Sequence, residues 1–174
     1  MRVLQINSVA NSGSTGRIAE EIGNVLLAHG HDSYIAYGRG KATSSSKLIK
    51  IGTDKDVYLH GAYTLLTDKH GFGSIRATQK FIQEVEKINV DLIALHNLHG
   101  YYIHLPTLLD FINKIAIISN ESVFFVLNIR SLLEFERFHI YSSVKIINRF
   151  NKLNEKKGHL TIVNIFSLIF HSAF

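Results

Sequence analysis

The sequence predicts an α/β protein built on a doubly wound parallel sheet, and three observations carry that prediction. Short apolar runs rich in β-branched residues alternate with segments whose apolar residues recur at helical spacing. The first strand, loop, helix and second strand fit within roughly 38 residues, the length a parallel crossover requires. Hydrophobic residues make up 46% and charged residues 19% of the 174, enough apolar surface to cover both faces of a sheet.

The elements follow in order. Arg2 to Asn7, RVLQIN, suits a buried strand. Ser8 to Gly16 reads as a polar, glycine-bearing loop, with Ser14 or Thr15 as the cap of the helix after it. In that helix Ile18, Ile22, Val25 and Leu26 share a face, Glu20 and Glu21 are placed in the first turns, and His29-Gly30 closes it. Ser33 to Tyr37 is the second strand and Leu48 to Ile51 a short third. A helix is expected over Lys55 to Asp68. Another runs from a Ser74 cap to Ile88, with Ile75, Thr78, Phe81, Ile82 and Val85 on its apolar side. Asp91 to His96 is the next strand, and Thr107 to Lys114 begins a helix just past Pro106.

The composition changes near residue 115. Eleven of the twelve glycines and the single proline precede residue 111, whereas nine of the eleven phenylalanines follow residue 110. Turns in α/β chains need Gly and Pro, so the boundary is placed at 112–120, giving a Rossmann-like domain over 1–114 and an atypical tail over 115–174. In the tail, Ser122 to Ile129 reads as a strand, Ser131 to Asn154 as helical, and Leu160 to Phe170 as an apolar end too short to span a bilayer.

Several function classes are set aside. With no cysteine there is no disulfide framework, thiolate metal site or cysteine nucleophile. The net charge of +5 is a spread property of the tail: residues 1–110 hold 11 basic and 10 acidic side chains. No basic stripe points to nucleic acid. The first residues lack the long apolar centre of a signal peptide, so a cytoplasmic location is expected.

Ligands of open α/β sheets bind at the carboxyl ends of the strands. Three loops are expected there. Asn11 to Arg17, NSGSTGR, offers backbone N–H groups and a helix N-terminus to an anion, with Arg17 as a bidentate partner; its spacing is not the GxGxxG of dinucleotide sites. His96 to His104, HNLHGYYIH, is a dense donor and acceptor set suited to a polar ligand such as a sugar, or a structural loop whose Tyr and His pack at a domain edge. A zinc reading of His96, His99 and His104 matches no common ligand spacing. Asp68 to Ser74 turns sharply at Gly71 and Gly73 and presents His70 or Phe72, or simply joins two helices. Gly38-Arg39-Gly40-Lys41 is a basic turn, solvated or facing an anion. A Ser–His–Asp hydrolase has no GxSxG elbow to support it.

Taken together, RVLQINSV with GSTGRIAEEI, HDSYIAYGRG, DVYLHGAYTLLTDKHGFGS and LHNLHGYYIH resemble the N-terminal half of bacterial GT-B, family-4-like glycosyltransferases of capsule and exopolysaccharide pathways. The resemblance covers residues 1–114. It implies two Rossmann-like domains facing across a cleft and a retaining transfer from a nucleotide-sugar donor to a saccharide or lipid-linked acceptor. It assigns Gly13, Ser14, Thr15, Gly16 and Arg17 to the cleft floor beside the donor diphosphate. His96, Asn97, His99 and Tyr101 go to the acceptor side. It implies no cofactor besides the donor substrate and no metal.

From residue 115 the chain departs from that family. The paired glutamates of the donor domain are not found: Glu121, Glu134, Glu136 and Glu155 lack the E-x7-E separation. The expectation is therefore a truncated or frameshifted N-terminal half, inactive alone, that meets nucleotide-sugar only if a second domain or chain supplies its site. Peripheral membrane association through the tail belongs to the same expectation. The rival readings are a non-catalytic sugar- or phosphate-binding module and one subunit of a two-chain transferase.

Overall fold

A computed structural model of the protein describes residues 1–118 and 124–127. In chain order the elements are β1 (Arg2–Asn7), α1 (Gly13–Ala28), β2 (Asp32–Tyr37), β3 (Lys47–Lys50), α2 (Asp54–Thr67), α3 (Ile75–Ile88), β4 (Leu92–Leu95), α4 (Leu105–Ile118) and β5 (Phe124–Leu127). The strands form one sheet of order β3-β2-β1-β4-β5, parallel throughout. The fold is thus the Rossmann-like α/β arrangement that the alternation predicts.

The pleat decides which residues enter which layer. On one face of β1, Leu4 and Ile6 are fully buried with Ile49, Ile93, Leu95, Phe81, Val85, Leu108 and Ile112, so α3 and α4 cover that face. On the other, Gln5 donates from Nε2 to the Ala19 carbonyl of α1 at 2.9 Å, and Ile35, Tyr37, Ala10 and Ala19 form the smaller core. Burying each large aliphatic side chain contributes about 1.5–3 kcal/mol.

The helix ends differ from expectation in instructive ways. α1 starts at Gly13, so Gly13 to Gly16 are its first turn rather than loop. Its cap position is Ser12, not Ser14 or Thr15, and no side chain caps it. Glu20 and Glu21 therefore lie beyond the first turn, which carries no acid. Glu20 is instead bound across the β2–β3 loop, accepting from the Ser44 hydroxyl and from the Ser45 N–H at 2.9 Å. α2 has a reciprocal capping box between Thr53 and Asp56, which holds the Asp56 carboxyl below its ordinary range. Ser74 precedes α3 in the left-handed region with φ 59° and makes no cap bond. α4 starts two residues before Thr107, with Pro106 in the first turn, where a missing N–H costs nothing.

α2 buries only His60 and leaves Tyr58, Leu59, Leu65 and Leu66 largely in solvent. α4 runs through residue 115, and β5 pairs with β4 within the strand expected over Ser122 to Ile129. The segments 131–154 and 160–170 lie outside the described residues. Among those described, no helix is long and apolar enough to cross a membrane.

Candidate functional site

The strand order reverses direction between β1 and β4, and the carboxyl edge of the sheet at such a switch point is where open α/β folds bind their ligands. β1 delivers Asn7 and the loop of residues 8–12 to it. α1 returns with Gly13 to Arg17 at its start, and β4 delivers His96 and the loop behind it. The two residue groups singled out in the sequence therefore reach one edge, on either side of the switch point.

The loop after β1 is held from three directions. The Ser8 carbonyl accepts from the N–H groups of Gly38 at 3.2 Å and Arg39 at 2.9 Å, which ties it to the end of β2. Asn11, at φ 47°, donates from Nδ2 to the Thr43 carbonyl at 2.9 Å. At Gly16 a Cβ would stand 3.2 Å from both the Asn11 nitrogen and a Val9 methyl, so the first turn of α1 lies tightly on this loop. The turn presents amides with neither a capping side chain nor an acid in front of them. Ser14 and Arg17 are exposed and Thr15 is half-buried.

His96 is almost buried, directly past the end of β4. Because the Gln5 amide donates through Nε2, its Oε1 is the acceptor in the 2.9 Å contact with His96 Nε2. The neutral ring therefore carries its proton on Nε2 and its lone pair on Nδ1. Burial pushes the ring's pKa down to about 4. Asn97 turns back on itself, its Oδ1 accepting from the His99 N–H at 3.1 Å, while its carbonyl accepts from the Tyr102 hydroxyl at 2.7 Å. The fully buried Tyr102 hydroxyl is held well above the usual phenol range. Its ring fills the space where Gly38 would carry a side chain. His99 is exposed.

Tyr101 has φ 63°, an uncommon conformation for an aromatic residue, and its ring lies 5.7 Å from His60 and 5.1 Å from His70. It thereby joins the loop after β4 to α2 and to the 68–74 turn, for which the sequence alone leaves function and simple connection both open. His60 accepts the Gly73 N–H at Nε2 (3.1 Å), so Nδ1 bears the proton facing Ser74 Oγ at 3.0 Å. A serine hydrolase needs the lone pair, not the proton, on the nitrogen beside its serine. The His60–Ser74 contact is therefore structural. Burial, with His70 and His104 nearby, lowers the His60 pKa to about 4.

His104 is separated from the other two histidines of the zinc reading. Its Nδ1 accepts from Thr107 Oγ1 at 2.7 Å, and its ring meets the edge of Phe72. Among the described residues no group of three or more His, Asp or Glu side chains is arranged to hold a metal ion. A cleft of about 290 Å³ between the carboxyl ends of α3 and α4, lined by Val85, Asn89, Val90, Phe111 and Lys114, opens at the opposite edge of the sheet, away from these loops.

No protein-family model matches the chain, and no curated protein matches it. The residues gathered at the carboxyl edge of the sheet are therefore the ground on which a function can be assigned.

Sequence reasoning missed two residues there. Gln5 is fully buried in the middle of β1; its signal was a lone amide inside an apolar strand. Asn7 is equally buried and donates from Nδ2 to the Val9 carbonyl at 2.9 Å, but its Oδ1 has no hydrogen-bond partner.

Proposed function

We propose that the chain is the acceptor-side half of a glycosyltransferase, serving sugar transfer from a nucleotide-sugar to a saccharide or lipid-linked acceptor. One observation carries this reading: an uncapped helix N-terminus and a loop rich in imidazole, amide and phenol groups flank one switch point. Glycosyl transfer requires a leaving diphosphate to be stabilised as its bond to the sugar breaks, and an acceptor hydroxyl to be held in line. The α1 amides and Arg17 suit the first task. His96, Asn97, His99 and Tyr101 suit the second. In this reading a second α/β unit binds the nucleotide, and the working site lies at the cytoplasmic face of a membrane when the acceptor is a lipid.

The test is transfer of labelled sugar from UDP- and GDP-sugars to a lipid-linked saccharide extract. The chain is assayed alone and together with a GT-B donor-binding domain. Transfer that appears on mixing and is lost with Arg17→Gln supports the proposal. Saturable sugar binding without product under every condition replaces it with the non-catalytic binding module.

A further inference from the structure

α2 has one buried side chain, His60, and the turn after it is shaped around that ring. A Cβ at Gly73 would collide with His60 Cδ2 and Cγ, so only glycine admits the imidazole there. A chain of hydrogen bonds then runs in one direction. The Gly73 N–H donates to His60 Nε2 at 3.1 Å, His60 Nδ1 donates to Ser74 Oγ at 3.0 Å, and Ser74 Oγ donates to the Tyr101 carbonyl at 3.4 Å. Bonds aligned in this way polarise one another.

The chain ends on strained backbone. Ser74 at φ 59° and Tyr101 at φ 63° both have the left-handed conformation, which persists only where the surroundings enforce it. The Tyr101 ring also stands edge-on to His60, 5.7 Å away.

This direction of donation requires a neutral ring. A proton on Nε2 turns the first acceptor into a donor that meets the Gly73 N–H. The groups facing the ring carry no carboxylate: His70 comes from the 68–74 turn, Tyr101 from the loop after β4, His104 from the segment before α4, and Ser74 from the start of α3. On α2 itself, Asp56 is engaged in the Thr53 capping box, and Asp110 of α4 acts on His104. Burial, with the two imidazoles, outweighs the pull of the Tyr101 carbonyl and keeps the ring neutral.

We propose that His60 is an acid-released latch: neutral, it holds Tyr101 in its left-handed conformation against α2, and protonated, it leaves the socket and lets Tyr101 relax. His60 is thus a positioning residue for Tyr101, and the latch stands whether or not sugar is transferred. Out of the socket the ring has its ordinary pKa of 6.5, so each pH unit below that favours the open state about tenfold, down to the closed-state value of about 4.

The experiment is a pH titration, from 7.5 to 4, of the full chain labelled with carbon-13 tyrosine and nitrogen-15 glycine, followed by NMR. Tyr101→Phe and Gly73→Ala assign the two signals. The Tyr101 Cα and Gly73 amide signals are expected to move together and reversibly, with one midpoint between about 4 and 6.5, while circular dichroism stays constant. His60→Gln keeps an acceptor for the Gly73 N–H without a titrating group and is expected to abolish the movement. Gly73→Ala crowds the ring out and is expected to give the open Tyr101 signal already at pH 7.5. A Tyr101 signal unmoved at pH 4, or moved only as circular dichroism is lost, overturns the latch. So does an unchanged midpoint in His60→Gln, or a closed Tyr101 signal in a folded Gly73→Ala.

Discussion

His96 Nε2 donates to Gln5 Oε1 at 2.9 Å, joining the residue just past β4 to the middle of the central strand. Because Gln5 in turn donates to the Ala19 carbonyl of α1, one amide ties both α1 and the start of the loop after β4 to β1. Gln5→Leu removes acceptor and donor together; the Ala19 carbonyl keeps its bond within α1, while the His96 Nε2–H loses its acceptor. It is expected to lower stability by about 1–3 kcal/mol, measured as a shift of the urea midpoint. The nitrogen-15 shifts of His96 are expected to show Nε2–H in the wild type and a mixture of tautomers in the variant.

Acid weakens the fold through two histidines. His60 and His96 titrate near 4 when folded, against an ordinary value of 6.5. Below 6.5 the unfolded chain takes up protons that the folded chain refuses, so stability falls as pH drops from about 6.5 and levels off near 4. The slope is about 1.4 kcal/mol per pH unit for each ring. Urea midpoints at a series of pH values check this, and His60→Gln and His96→Gln each remove one proton's worth of slope.

Two glycines are expected to respond in opposite directions to alanine. At Gly38 the added methyl collides with the buried Tyr102 ring, which costs about 1–3 kcal/mol. At Gly61, inside α2, it meets the Tyr101 ring at 3.7 Å, an ordinary contact. There alanine gains helix propensity of about 0.5–1 kcal/mol. Thermal melts of both variants separate the two outcomes.

The uncapped start of α1 sets stability against binding. Ser12→Asp places a carboxylate before amides that now have no capping side chain, adding about 0.3–1 kcal/mol. The same charge occupies the place offered to an anionic ligand. A raised melting temperature with loss of sugar transfer in the mixed assay is the expected pair of results; unchanged transfer removes α1 from the site.

The alternation of strands and helices was legible because β1, β2 and β4 are short apolar runs and α3 has a one-sided apolar pattern. The start of α1 was misplaced because Gly13 and Gly16 are poor helix formers, and tertiary contact of Gly16 with Val9 and Asn11 overrides that preference. Ser74 reads as a cap since serine favours that position, yet its hydroxyl is taken by His60, a partner 14 residues earlier. Gly13 to Arg17 and His96 to Tyr101 were singled out because both lie past the ends of strands. Gln5 and Asn7 were not, because amide partners are set by packing rather than by sequence neighbours.

The central position of β1 also governs the order in which the molecule can be assembled. β1 pairs with β4, Val3 against Leu92, so its second edge stays open until β4 has been made. Until then it pairs only with β2, and an open apolar edge is exposed to other nascent chains. Closing so long a loop is slow. The half-sheet of β1, β2 and β3 can therefore form ahead of β4, and β5 adds to the sheet only after β4 is in place.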